Sequence, residues 1–155
     1  MENYFYFDFP IGPLGISENG AGISQVFLKG KGNLADSREC LTDILKVAAE
    51  QLDEYFGGER QNFDVPLSVQ GTDFQKKVWQ ALLAIPYGQT RCYSEVAAMV
   101  GNPKASRAVG MANHHNPLMI LVPCHRVVGK DGSLTGYAGG LDVKRYLLNL
   151  ESRSK

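Results

Sequence analysis

The spacing of apolar residues changes period along the chain, and this change limits the folds open to it. Up to about residue 28, YFYFDF and GISENGAGISQVFL alternate apolar and polar side chains around a Glu18-Asn19-Gly20 turn, the pattern of a β-hairpin. From there the period is helical. Leu41, Ile44, Leu45, Ala48, Leu52 and Tyr55 predict a helix over 36–56, with Asp36 and Glu39 spaced as a capping pair and Gly57-Gly58 as its end. The stretch GERQNFDVPLSVQG shows little periodicity and reads as a connector.

Beyond it, Thr72-Asp73-Phe74-Gln75 has capping-box spacing and opens a helix carrying Val78, Trp79, Leu82 and Leu83, with Pro86 as its stop. A second helix is expected from Tyr93 to Val100 with Gly101 as C-cap. A third is expected to reach Asn113, with Asn102 as N-cap and Pro103 in its first turn. Two short helices separated by Gly-Asn-Pro fit a helix-turn-helix, and equally an ordinary helical hairpin in a core. Met119-Ile120-Leu121-Val122 reads as a short buried strand, Lys130 to Ser133 as a turn, and 142–151 as a last helix with Val143, Tyr146, Leu147 and Leu150 on one face.

The net charge is +0, but its distribution is uneven. Residues 1–70 hold 5 Lys+Arg against 11 Asp+Glu, a balance of −6; residues 71–155 hold 11 against 5, a balance of +6. A basic half suits a polyanionic partner, although segregated surface charge is a sufficient explanation by itself. The N-terminal MENYFYFDFPIG lacks the basic start and apolar run of a signal peptide, and no run reaches the length of a membrane span. Cys40, Cys92 and Cys124 are odd in number and have no metal-ligand spacing. The expectation is a cytoplasmic protein with reduced thiols, without a disulfide framework and without a metal or cofactor.

One thiol stands apart. Cys124 follows Pro123 and precedes His125 and Arg126, and cationic neighbours favour the reactive thiolate. Adjacent residues of an extended chain point to opposite faces, so Cys124 and His125 should not touch directly. Cys40, on the apolar side of its expected helix, reads as an inert buried thiol. Glu151 lies in the last turn of a helix, where the macrodipole disfavours a carboxylate, and it shares a face with Lys144. Either it is a frayed, solvated residue or it orients His125 as the third member of a triad.

GTDFQKKVWQALLAIPYGQT, GNPKASRAVGMAN, NPLMILVPCHRVVG and GSLTGYAGGLDVKRYLLNLE together resemble the O6-alkylguanine-DNA alkyltransferases, most closely their bacterial single-chain members. The resemblance extends over essentially the whole chain. It implies a ribonuclease-H-like α/β domain over 1–70 and a mainly α DNA-binding domain with a helix-turn-helix over 71–155. It implies direct DNA repair, in which an alkyl group passes irreversibly and once per molecule from O6-alkylguanine to Cys124, with O4-alkylthymine as a further candidate substrate.

Position by position, the resemblance makes His125 the base, linked to Cys124 by a water, and Glu151 its brace. Asn116 pins the active-site turn and Tyr137 donates to the departing guanine. Tyr93, Asn113, Val127, Gly136, Ala138 and Lys144 line the substrate pocket. Arg107 is the finger that replaces an extruded base, and Tyr93 crowds the neighbouring phosphate. Ser94, Asn102, Ala105, Ser106, Ala108, Gly110 and Lys130 complete the DNA contacts. The small residues of NPKASRAVGMAN suit a minor groove about 6 Å wide, though close helix packing explains them as well. The implied partner is lesion-bearing duplex DNA bound by a monomer, with clustering of copies left open. Cys92 departs from the Ser or Thr common in relatives, and His114-His115 from a basic or glycine-containing pair. A lesion-binding module without transfer and a Cys-His-Glu thiol hydrolase are the alternatives.

Overall fold

The structure is a computed structural model describing residues 1–153. The chain forms two compact units, one over Met1–Gln70 and one from Gly71 onward. The first holds β1 (Glu2–Phe9), β2 (Gly12–Glu18), β3 (Ile23–Leu28), β4 (Ser37–Glu39) and α1 (Asp43–Phe56). Its sheet has the order β3-β2-β1-β4. The expected hairpin is present: β2 and β3 pair antiparallel, Gly20 takes φ +88°, and Asn19 Oδ1 accepts from Ala21 N. β1 pairs with β2 antiparallel, with Phe5 opposite Ile16 and Phe7 opposite Leu14. Leu45, Ala48, Leu52 and Tyr55 of α1 are wholly buried, and Phe56 stacks on Phe9 at 5.4 Å.

The start of α1 differs from the expectation. Ser37–Glu39 joins the sheet edge parallel to β1, with Glu2 N donating to Asp36 O and Cys40 N to Tyr4 O. Asp36 and Glu39 therefore do not cap a helix. The N-cap is Thr42, and Cys40 lies ahead of the helix, half-buried. Free backbone groups at the edge of β1 outcompete a short-range side-chain cap.

The second unit contains α2 (Asp73–Leu83), β5 (Arg91–Cys92), α3 (Tyr93–Met99), α4 (Ser106–His114), β6 (Val127–Val128) and α5 (Leu141–Arg153). The capping box of α2 is formed, with Gln75 N donating to Thr72 Oγ1 at 3.1 Å and Thr72 N to Gln75 Oε1 at 3.0 Å. Trp79 Nε1 donates to Ala112 O at 2.8 Å and fixes α2 against α4. Among the described residues, no helix is long and apolar enough to cross a membrane.

Two expectations in this unit need correction. Asn102 does not cap α4. Its N–H donates to Ala97 O, and Gly101 at φ +80° donates to Ala98 O, so the pair closes α3 in a Schellman arrangement. Asn102 O then accepts from Ala105 N, and α4 begins at Ser106 with Ala105 as an N-cap lacking a side-chain bond. Nor is 119–122 a strand. Val122 N donates to Leu118 O and Leu121 N to Met119 O, which folds the run into a tight turn. An apolar run records burial, which all of Leu118 to Val122 show, but not direction.

Candidate active site

The turn before Cys124 is held from inside. Asn116 Nδ2 donates to Val122 O at 2.9 Å and Leu118 O at 3.3 Å, while Asn116 Oδ1 accepts from Leu118 N at 3.0 Å. Ile120 within it takes φ +72°, a conformation that costs a β-branched residue about 1–3 kcal/mol and persists only where its surroundings impose it. Asn116 is that constraint. Cys124 follows as the first residue of a single 3₁₀ turn, Cys124–Arg126, not at the end of an extended strand. Cys124 N donates to Val122 O, and Cys124 O accepts from Asn113 Nδ2 at 3.3 Å.

Cys124 is 5% exposed. Burial pushes its thiol pKa up, opposed by hydrogen bonding from Asn116, the Lys144 charge and hydrogen bonding from Tyr137. At neutral pH the sulfur therefore keeps its proton until something takes it. His125 is fully buried, and burial pushes its pKa down despite the Glu151 carboxylate. Its Nε2 lies 2.6 Å from Glu151 Oε2. Glu151 is buried too, yet hydrogen bonds from His125 and Arg126 overcome that burial and hold its carboxyl far below the usual range. An ionised carboxylate only accepts, so the neutral imidazole must donate from Nε2. The lone pair is thereby placed on Nδ1, which is buried and hydrogen-bonded to no protein group.

The sequence offers Arg126 only as a cation beside the thiol, but the structure pairs it with Glu151. Its Nε donates to Glu151 Oε1 at 2.8 Å, Nη2 to Oε2 at 3.0 Å, and Nη1 to Ile85 O at 2.7 Å. This two-point clamp keeps Glu151 charged and fixed in the interior. Glu151 is thus no frayed end. Lys144, on the same face of α5, donates from Nζ to Val127 O at 2.5 Å and Thr135 O at 2.8 Å. Burial lowers its pKa to about 8, opposed by the charge of a Cys124 thiolate. Lys144 Nζ also sits 5.9 Å from the centre of the buried Tyr137 ring. Val127 is fully buried, and its carbonyl accepts from Lys144 Nζ.

A groove of about 770 Å³ runs along α4, lined by Ser106, Arg107, Gly110 and His114 with Tyr93 and Gly136 from neighbouring segments. Tyr93 crosses it, its hydroxyl donating to Thr135 O at 3.2 Å. A Cβ on Gly110 would sit 3.8 Å from the Tyr93 ring, an ordinary contact, whereas Gly136 takes φ +56°, a conformation that favours glycine. Arg107 projects into solvent. Met111, 57% exposed, also lines this groove and had no signal beyond its place on the helix. Ser94, Asn102, Ala105, Ala108, Lys130 and Ala138 are not among the groove's lining residues. Ser94 contacts Cys92 Sγ at 3.1 Å, and Asn102, Ala108, Lys130 and Ala138 are exposed.

Comparison with known proteins gives this geometry a context. Residues 73–153 match the family model described as "6-O-methylguanine DNA methyltransferase, DNA binding domain", and residues 3–69 match its "ribonuclease-like domain". A Methanosarcina acetivorans protein named methylated-DNA–protein-cysteine methyltransferase is 52% identical over 151 residues, covering 96% of this chain and 97% of that one. The constitutive Bacillus subtilis protein of that name is 49% identical over 158 residues, covering 97% and 96%. The crystal structure of Mycobacterium tuberculosis OGT in complex with DNA matches with a TM-score of 0.94 at 47% identity, over 98% of this chain and 94% of that one. Matched in both halves and over nearly its full length, the chain belongs to the 6-O-methylguanine DNA methyltransferase family.

Proposed function

We propose that this protein repairs DNA directly, moving the alkyl group of O6-alkylguanine onto Cys124, and that O4-alkylthymine is a further substrate. The observation that carries the reading is the buried contact of His125 with Glu151: the charged carboxylate accepts a hydrogen bond from Nε2–H and leaves Nδ1 as a base with no protein partner. A water joining Nδ1 to the Cys124 thiol carries the proton one way as the sulfur becomes nucleophilic. The sulfur attacks the alkyl carbon, the carbon–oxygen bond breaks, and a thioether forms. Negative charge developing on the purine is met by the Tyr137 hydroxyl, which supplies a proton, and Lys144 can restore it. Nothing in the site cleaves a thioether, so each molecule acts once.

The target base must leave the duplex to reach a thiol this deeply buried. We assign Arg107 to the space it vacates, Tyr93 to the adjacent phosphate, and the small-residue face of α4 to the minor groove. The protein acts as a monomer in the cytoplasm, where thiols stay reduced. Intact mass after incubation with duplex DNA bearing O6-methylguanine tests the reading. One methyl group should be gained at Cys124 and none by Cys124→Ser. Loss of the lesion without a gain in mass, or repeated turnover, overturns it.

A further inference from the structure

The groove along α4 contains a feature that alkyl transfer does not use. His114 is the last residue of α4 and His115 its C-cap; both are exposed, and their ring centroids lie 5.4 Å apart at 77°. Both line the same groove as Arg107 and Ser106, and no residue lining it carries a carboxylate. The two imidazoles therefore extend a line of cationic potential from Arg107 to the end of the helix, over a surface with no internal counter-charge.

The ionisable groups of the packed neighbours do not alter this picture. On α2, Asp73, Lys76 and Lys77 line a separate groove. On α3, Glu95 accepts from Cys92 N, and only the Tyr93 hydroxyl reaches the α4 groove.

We infer that His114 and His115 form a phosphate-contact pair that couples duplex binding to proton uptake. The inference rests on the proposed DNA-repair function and adds to it a sensitivity to pH. A phosphate beside an imidazole favours the protonated ring, so binding draws protons from solvent and affinity rises as pH falls. Each ring that gains a whole proton on binding adds up to about one decade of affinity per pH unit across its titration. It also steepens the salt dependence by about one phosphate equivalent.

The test compares the wild-type chain with His114→Gln/His115→Gln on an unmodified duplex, by fluorescence anisotropy from pH 5.5 to 8.5. Wild-type affinity should rise at least fivefold more than that of the variant as pH falls. Calorimetry of the wild type in two buffers of different ionisation enthalpy should show net proton uptake near pH 6.5. Thermal melting at each pH establishes that the variant is folded. Parallel affinity profiles, or heats that do not depend on buffer, overturn the pair's role. Mass gain from free O6-benzylguanine, measured on the wild type, reports separately on the Cys124 chemistry. A chain that gains mass while the profiles run parallel refutes only the pair, and one with diverging profiles and no mass gain refutes only the transfer.

Discussion

The interior around Cys124 and the face of α4 belong to the same unit and follow opposite rules. Around Cys124 the charged groups are buried and paired: Glu151 holds His125 and Arg126, and Lys144 holds two backbone carbonyls. On the α4 face, Arg107, His114 and His115 stand exposed, with no salt bridge to any of them among the described residues. The interior has settled its electrostatics within the fold, whereas the groove leaves its charges for a partner to neutralise. Reactivity is therefore prepared before any DNA arrives, and affinity is completed only when it does.

Changes inside should cost chemistry and stability together; changes in the groove should cost only the steps that involve the duplex. The largest expected effect is that of Glu151→Gln. Its amide could leave the proton on either imidazole nitrogen, so stopped-flow transfer from free O6-benzylguanine should slow by about 10²–10⁴-fold. A loss below tenfold would mean that the brace is not needed. Next is Arg126→Met, which strands Glu151 with fewer donors. Denaturant unfolding should show a loss of about 3–5 kcal/mol, and a change under 1 kcal/mol would show that the clamp is not what keeps the carboxylate buried.

The pH profile sharpens the same contrast. Because burial lowers the pKa of His125, its base form survives below the ordinary imidazole midpoint of about 6.5. Transfer from the free base should thus stay level down through that pH and fall only below it. A midpoint at or above 6.5 would contradict a buried imidazole with a lowered pKa. Glu151 works in the same direction on stability. Its depressed pKa contributes fully above about pH 5, and the contribution is lost as pH falls toward the folded-state value. The smallest expected effect lies in the groove. Arg107→Ala should slow duplex repair by about tenfold, part of the few kcal/mol that extrusion costs, and leave the free-base reaction unchanged. Equal losses on both substrates would remove Arg107 from extrusion.

The sequence was most legible where a signal is local. The Thr72–Gln75 box and the Asn19-Gly20 turn appear as their spacing predicts, whereas on α5 Leu147 and Leu150 are buried beside Lys144 and Glu151, and Val143 and Tyr146 are only half-buried. It was least legible where two local options compete and a distant partner decides. Asp36 and Glu39 had cap spacing, but the edge of β1 claimed Ser37–Glu39 as a strand. Asn102 suited the start of α4, but the carbonyl of Ala97 was already in reach. The pairing of Arg126 was the most serious omission. Beside Cys124 the residue reads as a cation that favours the thiolate, and nothing near it announces a carboxylate 25 residues further on. Glu151, by contrast, was conspicuous because it sat against the helix dipole, a local misfit that its partners explain.

That distance along the chain has a consequence for synthesis. The sulfur and the imidazole leave the ribosome well before the carboxylate, since 26 residues separate His125 from Glu151. Until α5 folds back and docks, the ring is free to take either tautomer, and no carboxylate fixes the proton on Nε2. Attack assisted by the imidazole therefore waits for the last helix, so the relay is completed only when the whole unit is made.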